Sequence, residues 1–191
     1  MSKHLTGIFL ITVLTSFGQT NVSTVDCQLT NPDTSVFNII LNDRESSIKQ
    51  VGEKFAPIER SNMDLPYENF CSQDGKQTLT LFFHYGGVKN EFSEFQVKYY
   101  SASDSATLVK TNNFVSSKGI KLGLSKKQVV SIFGNCFMTI KKDKYSETIK
   151  YHIDDFKNSK FLQRFKYPFY YAEYEFQADK LVRFRFGFEY L

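Results

Sequence analysis

The side chains that could perform acid–base chemistry in this sequence are few. Glu173 and Glu175 are two residues apart on a predicted strand, so their carboxylates share one face, as the paired acids of a glycoside hydrolase could. Arg183 and Arg185 have the same spacing on the next predicted strand. Ion pairs across this hairpin are the favoured interpretation of the four residues, and carboxylate catalysis is the alternative.

The histidines offer a second possible chemistry, which is metal binding. His152 and Asp154 alternate on a predicted strand and Asp155 follows, so together they could supply two or three ligands. His84 lies in an apolar run and is typical of a structural histidine. No second cluster completes a metal site, and no phosphate-binding loop, serine-hydrolase elbow or zinc-protease motif is present. We therefore predict no catalytic residues, no metal and no cofactor, and we favour a non-enzymatic protein.

Aromatic side chains are concentrated in the second half of the chain. Residues 119–191 hold 17 of the 31 Phe and Tyr residues. A domain of this size cannot bury them all on one side of a sheet, and exposed Tyr beside Arg is typical of protein-binding hot spots. We predict a binding surface at Tyr170, Tyr171, Arg183 and Arg185, and an aromatic-rich core is the alternative.

The element that organises the chain is a short helix within residues 119–134. Ser125 is a good N-cap, and Gln128 three residues later completes a capping box. Gly134 has the position of a C-terminal stop. The apolar stripe of the helix is predicted to consist of Val129, Ile132 and Phe133.

These residues also carry a family resemblance. Ile120, Gly123, Ser125, Val129 and Gly134 match the pattern I-x-x-G-x-S-x-x-x-V-x-x-x-x-G, which resembles the opening of SmpA/OmlA outer-membrane assembly lipoproteins and of β-lactamase-inhibitor-like proteins. The resemblance implies a bacterial envelope protein in which a β-meander follows the helix and a concave aromatic sheet faces a protein partner. The chain departs from the family after the helix glycine, where Pro is frequent, and it lacks the lipid-acceptor cysteine.

An earlier stretch, residues 36–52, repeats the helix pattern at an offset of 81 residues, with Ile48 on Val129 and Val51 on Ile132. The sequence therefore predicts an α+β fold of two tandem units, each a short helix followed by an antiparallel β-meander. The predicted organisation is a signal peptide at 1–18, an N-terminal tail at 19–35, a first unit at 36–105 and a second unit at 106–191. Residues 57–74 are predicted to form a long loop. The strands are predicted at residues 78–85, 92–100, 137–141, 147–153, 170–176 and 181–190.

The N-terminus predicts export. Lys3 is followed by an apolar core at residues 8–14, and Ser16 and Gly18 are small residues before a cleavage site. No apolar run approaches the ~20 residues that a membrane span needs. We expect a periplasmic or extracellular protein with no transmembrane span.

Three cysteines, Cys27, Cys71 and Cys136, allow one disulfide in an oxidising compartment, with three possible pairings. We favour Cys27–Cys71, which would tie the predicted tail to the first unit. The spacing does not match a zinc knuckle or a redox pair.

The net charge of +4 is too small to indicate a nucleic-acid partner. It is uneven, because residues 119–191 carry 14 basic and 8 acidic side chains whereas residues 19–118 carry 9 and 12. The sequence predicts a secreted or periplasmic module that binds another envelope or secreted protein, as an assembly factor or an inhibitor-like protein. The alternative is a secreted hydrolase acting on envelope polymers.

Overall fold

The computed structural model describes residues 27–53, 65–84, 88–101 and 105–189. Within these residues the protein has an α+β fold with three short helices and a mostly antiparallel eight-stranded sheet. The predicted α+β class is therefore confirmed. The predicted signal peptide at 1–18, and residues 19–26 of the predicted tail, lie outside the described residues.

The helices and the strands are each numbered in chain order. The helices are α1 (Arg44–Val51), α2 (Lys126–Phe133) and α3 (Lys160–Phe165). The strands are β1 (Ser35–Val36), β2 (Ile39–Ile40), β3 (Tyr67–Cys71), β4 (Gln77–Phe82), β5 (Glu94–Tyr99), β6 (Thr107–Leu108), β7 (Met138–Lys142), β8 (Ser146–Ile153), β9 (Phe169–Gln177) and β10 (Lys180–Glu189).

The large sheet has the strand order β6-β3-β4-β5-β10-β9-β8-β7, and β1 and β2 form a separate two-stranded ribbon. Strands β3 to β5 form one antiparallel meander and strands β7 to β10 form another. The two meanders meet where β10 pairs with β5. Strands from both predicted units therefore belong to one continuous sheet, while the tandem repeat itself stays a prediction.

Helix α2 has the local structure that its sequence predicts. The Ser125 side chain accepts from the backbone of Gln128 at 3.3 Å, and the Gln128 side chain accepts from the backbone of Ser125 at 2.8 Å. Gly134 ends the helix at a φ of 83°. Val129 and Phe133 are buried, but Ile132 is 41% exposed, so the predicted apolar stripe is narrower than expected.

Helix α1 is capped at both ends. Asp43 accepts from the backbone N–H of Ser46 at 2.8 Å, and Gly52 closes the helix by donating to Ile48. Ser47 is the buried residue of α1. Val51 is partly buried against the core, to which Val36, Ile39 and Leu41 before the helix also contribute.

The predicted loop at residues 57–74 is wrong in its second part, because residues 67–71 form β3. Phe70 of β3 lies opposite Leu79 of β4, and both side chains are buried. Residues 54–64 of the predicted loop lie outside the described residues.

The predicted disulfide is also wrong, because Cys27 pairs with Cys136 rather than with Cys71. The backbone N–H of Leu29 donates to the carbonyl of His152 at 3.3 Å, which holds the start of the described chain beside the end of β8. Cys136 precedes β7, the neighbour of β8, and its Cα is 5.2 Å from that of Cys27. Cys71 is buried in β3, and four strands separate β3 from β8.

One face of the sheet packs into a core that is rich in rings. Tyr151 and Tyr174 are fully buried beneath Phe133 of α2, whose ring centroid is 5.5 and 5.4 Å from theirs. On α3, Leu162 is buried and Phe161 meets the ring of Tyr170 edge to face at 5.2 Å. Helices α2 and α3 therefore lie on this face, and alternate side chains of the central strands project from the opposite face.

Candidate functional site

The opposite face of the central strands is polar and charged. We call it the polar face. In register across the sheet, Gln96 lies opposite Arg185, Arg185 opposite Glu173, and Glu173 opposite Lys150. The polar face comprises Glu94, Gln96, Lys98, Thr148, Lys150, His152, Tyr171, Glu173, Glu175, Arg183 and Arg185.

The structure brings three of the four predicted binding residues, Tyr171, Arg183 and Arg185, onto this face. Tyr170 lies on the other side of the sheet, fully buried, where its hydroxyl donates to the carbonyl of Asp33 at 2.8 Å. Successive residues of a strand point to opposite faces, so Tyr170 and Tyr171 could not share one surface. Tyr170 is therefore a core residue.

Arg185 does not pair with the residue expected from the hairpin. Glu173 lies opposite it in the register, but the Nε of Arg185 donates to Oε1 of Glu94 on β5 at 2.6 Å. The Tyr171 hydroxyl donates to the other oxygen of Glu94. The guanidinium also lies over the ring of Phe82, 4.7 Å from its centroid. We call Glu94, Tyr171 and Arg185 the Glu94 cluster.

The Glu94 cluster contains an ionisable carboxyl group that is almost fully buried, because Glu94 is only 3% exposed. Burial raises the pKa of the Glu94 carboxyl, and the positive charge of Arg185 opposes that rise. Burial raises the pKa of the Tyr171 hydroxyl far above its usual value, and the charge of Glu94 adds to the effect, so Tyr171 stays a donor. Burial alone would lower the pKa of Arg185, but Glu94 and Tyr171 raise it overall.

A close approach of two strands positions Glu94. Gly187 of β10 lies opposite Glu94 of β5. A Cβ atom at Gly187 would be 2.4 Å from the backbone oxygen of Ser93 and 2.5 Å from the Cα of Glu94. Only glycine leaves room for this contact, and its place in an otherwise Phe-rich alternating strand is the sequence signal that marks it.

The remaining charges of the polar face form two further groups. Arg183 donates through Nε to Glu175 at 2.9 Å, as the hairpin predicts, and through Nη1 to Gln96 at 3.4 Å. Lys150 lies 3.5 Å from a carboxylate oxygen of Glu173. Both carboxylates that a glycosidase would use are therefore engaged by cations.

A cavity of about 430 Å³ opens at the end of the polar face where β4 ends and β5 begins. His84 borders this cavity. Burial lowers the pKa of His84 to about 4, so its ring is neutral at physiological pH. The His84 ring stacks on that of Tyr167 at 5.0 Å. The described residues that line the cavity are Leu65, His84, Glu94, Tyr171, Arg185, Phe188 and Glu189. The sequence did not indicate Glu94 or the cavity, because Glu94 and Arg185 are 91 residues apart.

The histidine and aspartates considered as metal ligands do not converge. Nε2 of His152 is 3.8 Å from Asp154, which accepts a hydrogen bond from Gln28. Asp155 instead accepts from the backbone and side chain of Asn158. Among the described residues, no group of three or more His, Cys, Asp or Glu side chains is placed to hold a metal ion.

In the described ranges, no helix has both the length and the apolar character needed to cross a membrane. No protein-family model, curated protein or solved structure matches the chain.

Proposed function

We propose that the protein is a non-enzymatic module of the bacterial envelope or the secreted fraction, and that its polar face binds another protein. The observation that supports this proposal is the pair of held Arg side chains on that face. Arg183 and Arg185 are each fixed by a carboxylate while their side chains stay 26% and 30% exposed. Arg is among the residue types that most often dominate protein interfaces.

The ion pairs favour binding because they fix the side chains in advance. A free arginine loses rotamer entropy when a partner immobilises it, and a side chain already held by a neighbour loses less. The Arg183–Glu175–Gln96 and Glu94–Tyr171–Arg185 groups hold the two arginines of the face in this way. In this proposal the protein acts on its partner as an assembly factor or as an inhibitor-like protein.

The alternative of a hydrolase acting on envelope polymers is less well supported. A glycosidase needs one carboxyl as an acid and the other as a base or nucleophile. Glu173 lies beside Lys150 and Glu175 bonds to Arg183, and neither carboxylate lines the cavity among its described residues. The contacts of these two carboxylates therefore favour binding over hydrolysis.

Site-specific photo-crosslinking tests the proposal. A photoreactive residue at Gln96, on the polar face, is exposed to the envelope fraction of the source organism. The matched control carries it at Lys127, which is exposed on α2. We expect a discrete adduct from position 96 only, lost with Arg183→Ala and kept with Lys127→Ala. The same adducts from both positions, or none from position 96, would contradict the proposal.

A further inference from the structure

Among the described residues, the ion pairs in and beside the cavity contain one more carboxylate than cations. Glu94, Glu173 and Glu189 supply three carboxylates, and Arg185 and Lys150 supply two cations. Lys150 is shared, since it lies 3.5 Å from Glu173 and 3.9 Å from Glu189. Glu189 borders the cavity and is the carboxylate with the weakest contact to a cation.

The described charged and hydroxyl groups that line the cavity offer more free acceptors than free donors. Arg185 directs its Nε at Glu94, and the Tyr171 hydroxyl donates to the same carboxylate. The side chain of Glu189 is 48% exposed and open to a donor. The neutral ring of His84 adds no positive charge. An anion in this cavity would meet two carboxylates, whereas a cation would neutralise the excess charge.

Apolar groups also line the described part of the cavity wall. Leu65, Phe188 and the ring of Tyr171 line the cavity together with the charged groups. A volume of about 430 Å³ is in the range of pockets that hold small ligands. Aromatic faces also attract cations, and the ring of Tyr171 already has the Nζ of Lys150 at 4.8 Å from its centroid.

We infer that the cavity binds a cationic group on an apolar stem, with the stem against Leu65 and the cation beside Glu189. This inference rests on the proposed function, under which the cation is a lysine or arginine side chain of the protein partner. The inserted side chain would anchor that partner at one end of the polar face.

Titration of the full chain with n-butylammonium, followed by NMR chemical shifts, tests the inference. We expect saturable shifts around Glu189 and Tyr171 with a Kd of about 1–50 mM, as five heavy atoms allow. Butanol and butyrate should give none. Glu189→Gln should weaken binding about tenfold, because a charged acceptor is lost. Glu45→Gln, a matched change on the exposed face of α1, should leave it unchanged. Equal binding of butanol or butyrate, or no effect of Glu189→Gln, would overturn the inference.

A second pair of measurements separates the possible failures. N-acetyl-lysine methylamide should bind at least as tightly as n-butylammonium, and binding of the free amine alone would overturn the assignment to a partner side chain. A protein that forms the Gln96 adduct but binds no amine contradicts the inference alone. A protein that binds the amine but forms no adduct contradicts the proposed function alone.

Discussion

At the scale of single residues, Glu94 depends on its neighbours more than any other charged group of the polar face. Its carboxylate is almost fully buried, and it receives hydrogen bonds from Arg185 and Tyr171. Removing one partner of a buried ion pair leaves an uncompensated charge, which destabilises a protein far more than losing a surface pair. The chain offers a matched comparison, since Glu175 beside Arg183 is 24% exposed.

Arg185→Met should therefore destabilise the fold more than Arg183→Met. We expect a loss of about 2–4 kcal/mol in the free energy of unfolding for Arg185→Met at pH 7, and about 1 kcal/mol or less for Arg183→Met. The difference should shrink in acid, because Glu94 in the Arg185→Met protein can take up a proton. Urea denaturation at pH 7 and pH 5 measures both effects, and equal losses in the two variants would contradict this account of Glu94.

Asp33 is the residue whose titration should reduce stability as the pH rises. It is fully buried, one carboxylate oxygen accepts from Ser117 at 2.5 Å, and the other has no hydrogen-bond partner among the described residues. Burial raises the pKa of Asp33 above its ordinary value of 3.8. The folded state therefore binds the proton more tightly than the unfolded state, so the favourable contribution is complete below pH 3.8 and is lost as the pH rises through the folded pKa.

Asp33→Asn should remove this pH dependence, because the amide stays neutral. We expect the stability of Asp33→Asn relative to the parent protein to increase between pH 4 and pH 7 in urea denaturation. Since each variant is compared with the parent at the same pH, the similar contribution of Glu94 cancels. A difference that stays constant over this range would show that Asp33 is already ionised in the folded protein at pH 4.

At the scale of elements, α2 and the β9–β10 hairpin could be predicted because their signals are local. The capping box lies within four residues, and the alternation of Phe and Arg in β10 sets its two faces. Strand β3 was not predicted from the sequence, because residues 67–71 resemble the polar stretch before them. A polar turn also separates them from their partner strand β4. The polar face could be predicted only in part. The Arg183–Glu175 pair lies within one hairpin and follows from local spacing, whereas the Arg185–Glu94 pair joins two meanders that are distant in sequence.

Ser125→Ala tests how much the capping box contributes to α2. Loss of the Ser125 acceptor leaves the N–H of Gln128 without its partner and should lower the free energy of unfolding by about 1 kcal/mol. Ser131→Ala is the matched control in the same helix, where the exposed side chain donates to a carbonyl one turn earlier. We expect it to be neutral or slightly stabilising, because alanine has the higher helix propensity. Thermal unfolding followed by circular dichroism would show the contrast, and equal effects would contradict it.

At the scale of the whole molecule, the Cys27–Cys136 bridge closes a loop of 109 residues. A crosslink that closes a loop of this length restricts the unfolded chain strongly, and its loss commonly lowers stability by about 2–5 kcal/mol. The bridge also fixes the segment that carries Leu29 into the core beside β8. Its pairing could not be chosen from sequence, because the sheet order that separates Cys71 from Cys27 was unknown.

Cys136→Ser should therefore lower the urea midpoint, and a reducing agent should lower the midpoint of the parent protein to a similar value. The reducing agent should then have no further effect on Cys136→Ser. A Cys27–Cys71 bridge would give the opposite result, with Cys136→Ser still sensitive to reduction. Peptide mapping of the oxidised protein identifies the bridge independently.

The central place of β10 has a consequence for how the chain is made. Strands β3, β4 and β5 are synthesised first, but the outer edge of β5 is paired by β10, and Arg185 comes 91 residues after Glu94. Until then β5 presents unpaired backbone groups, which are prone to aggregate. The sheet can close only after residue 189 has left the ribosome. A chaperone that protects the nascent protein would therefore find its target at the edge of β5.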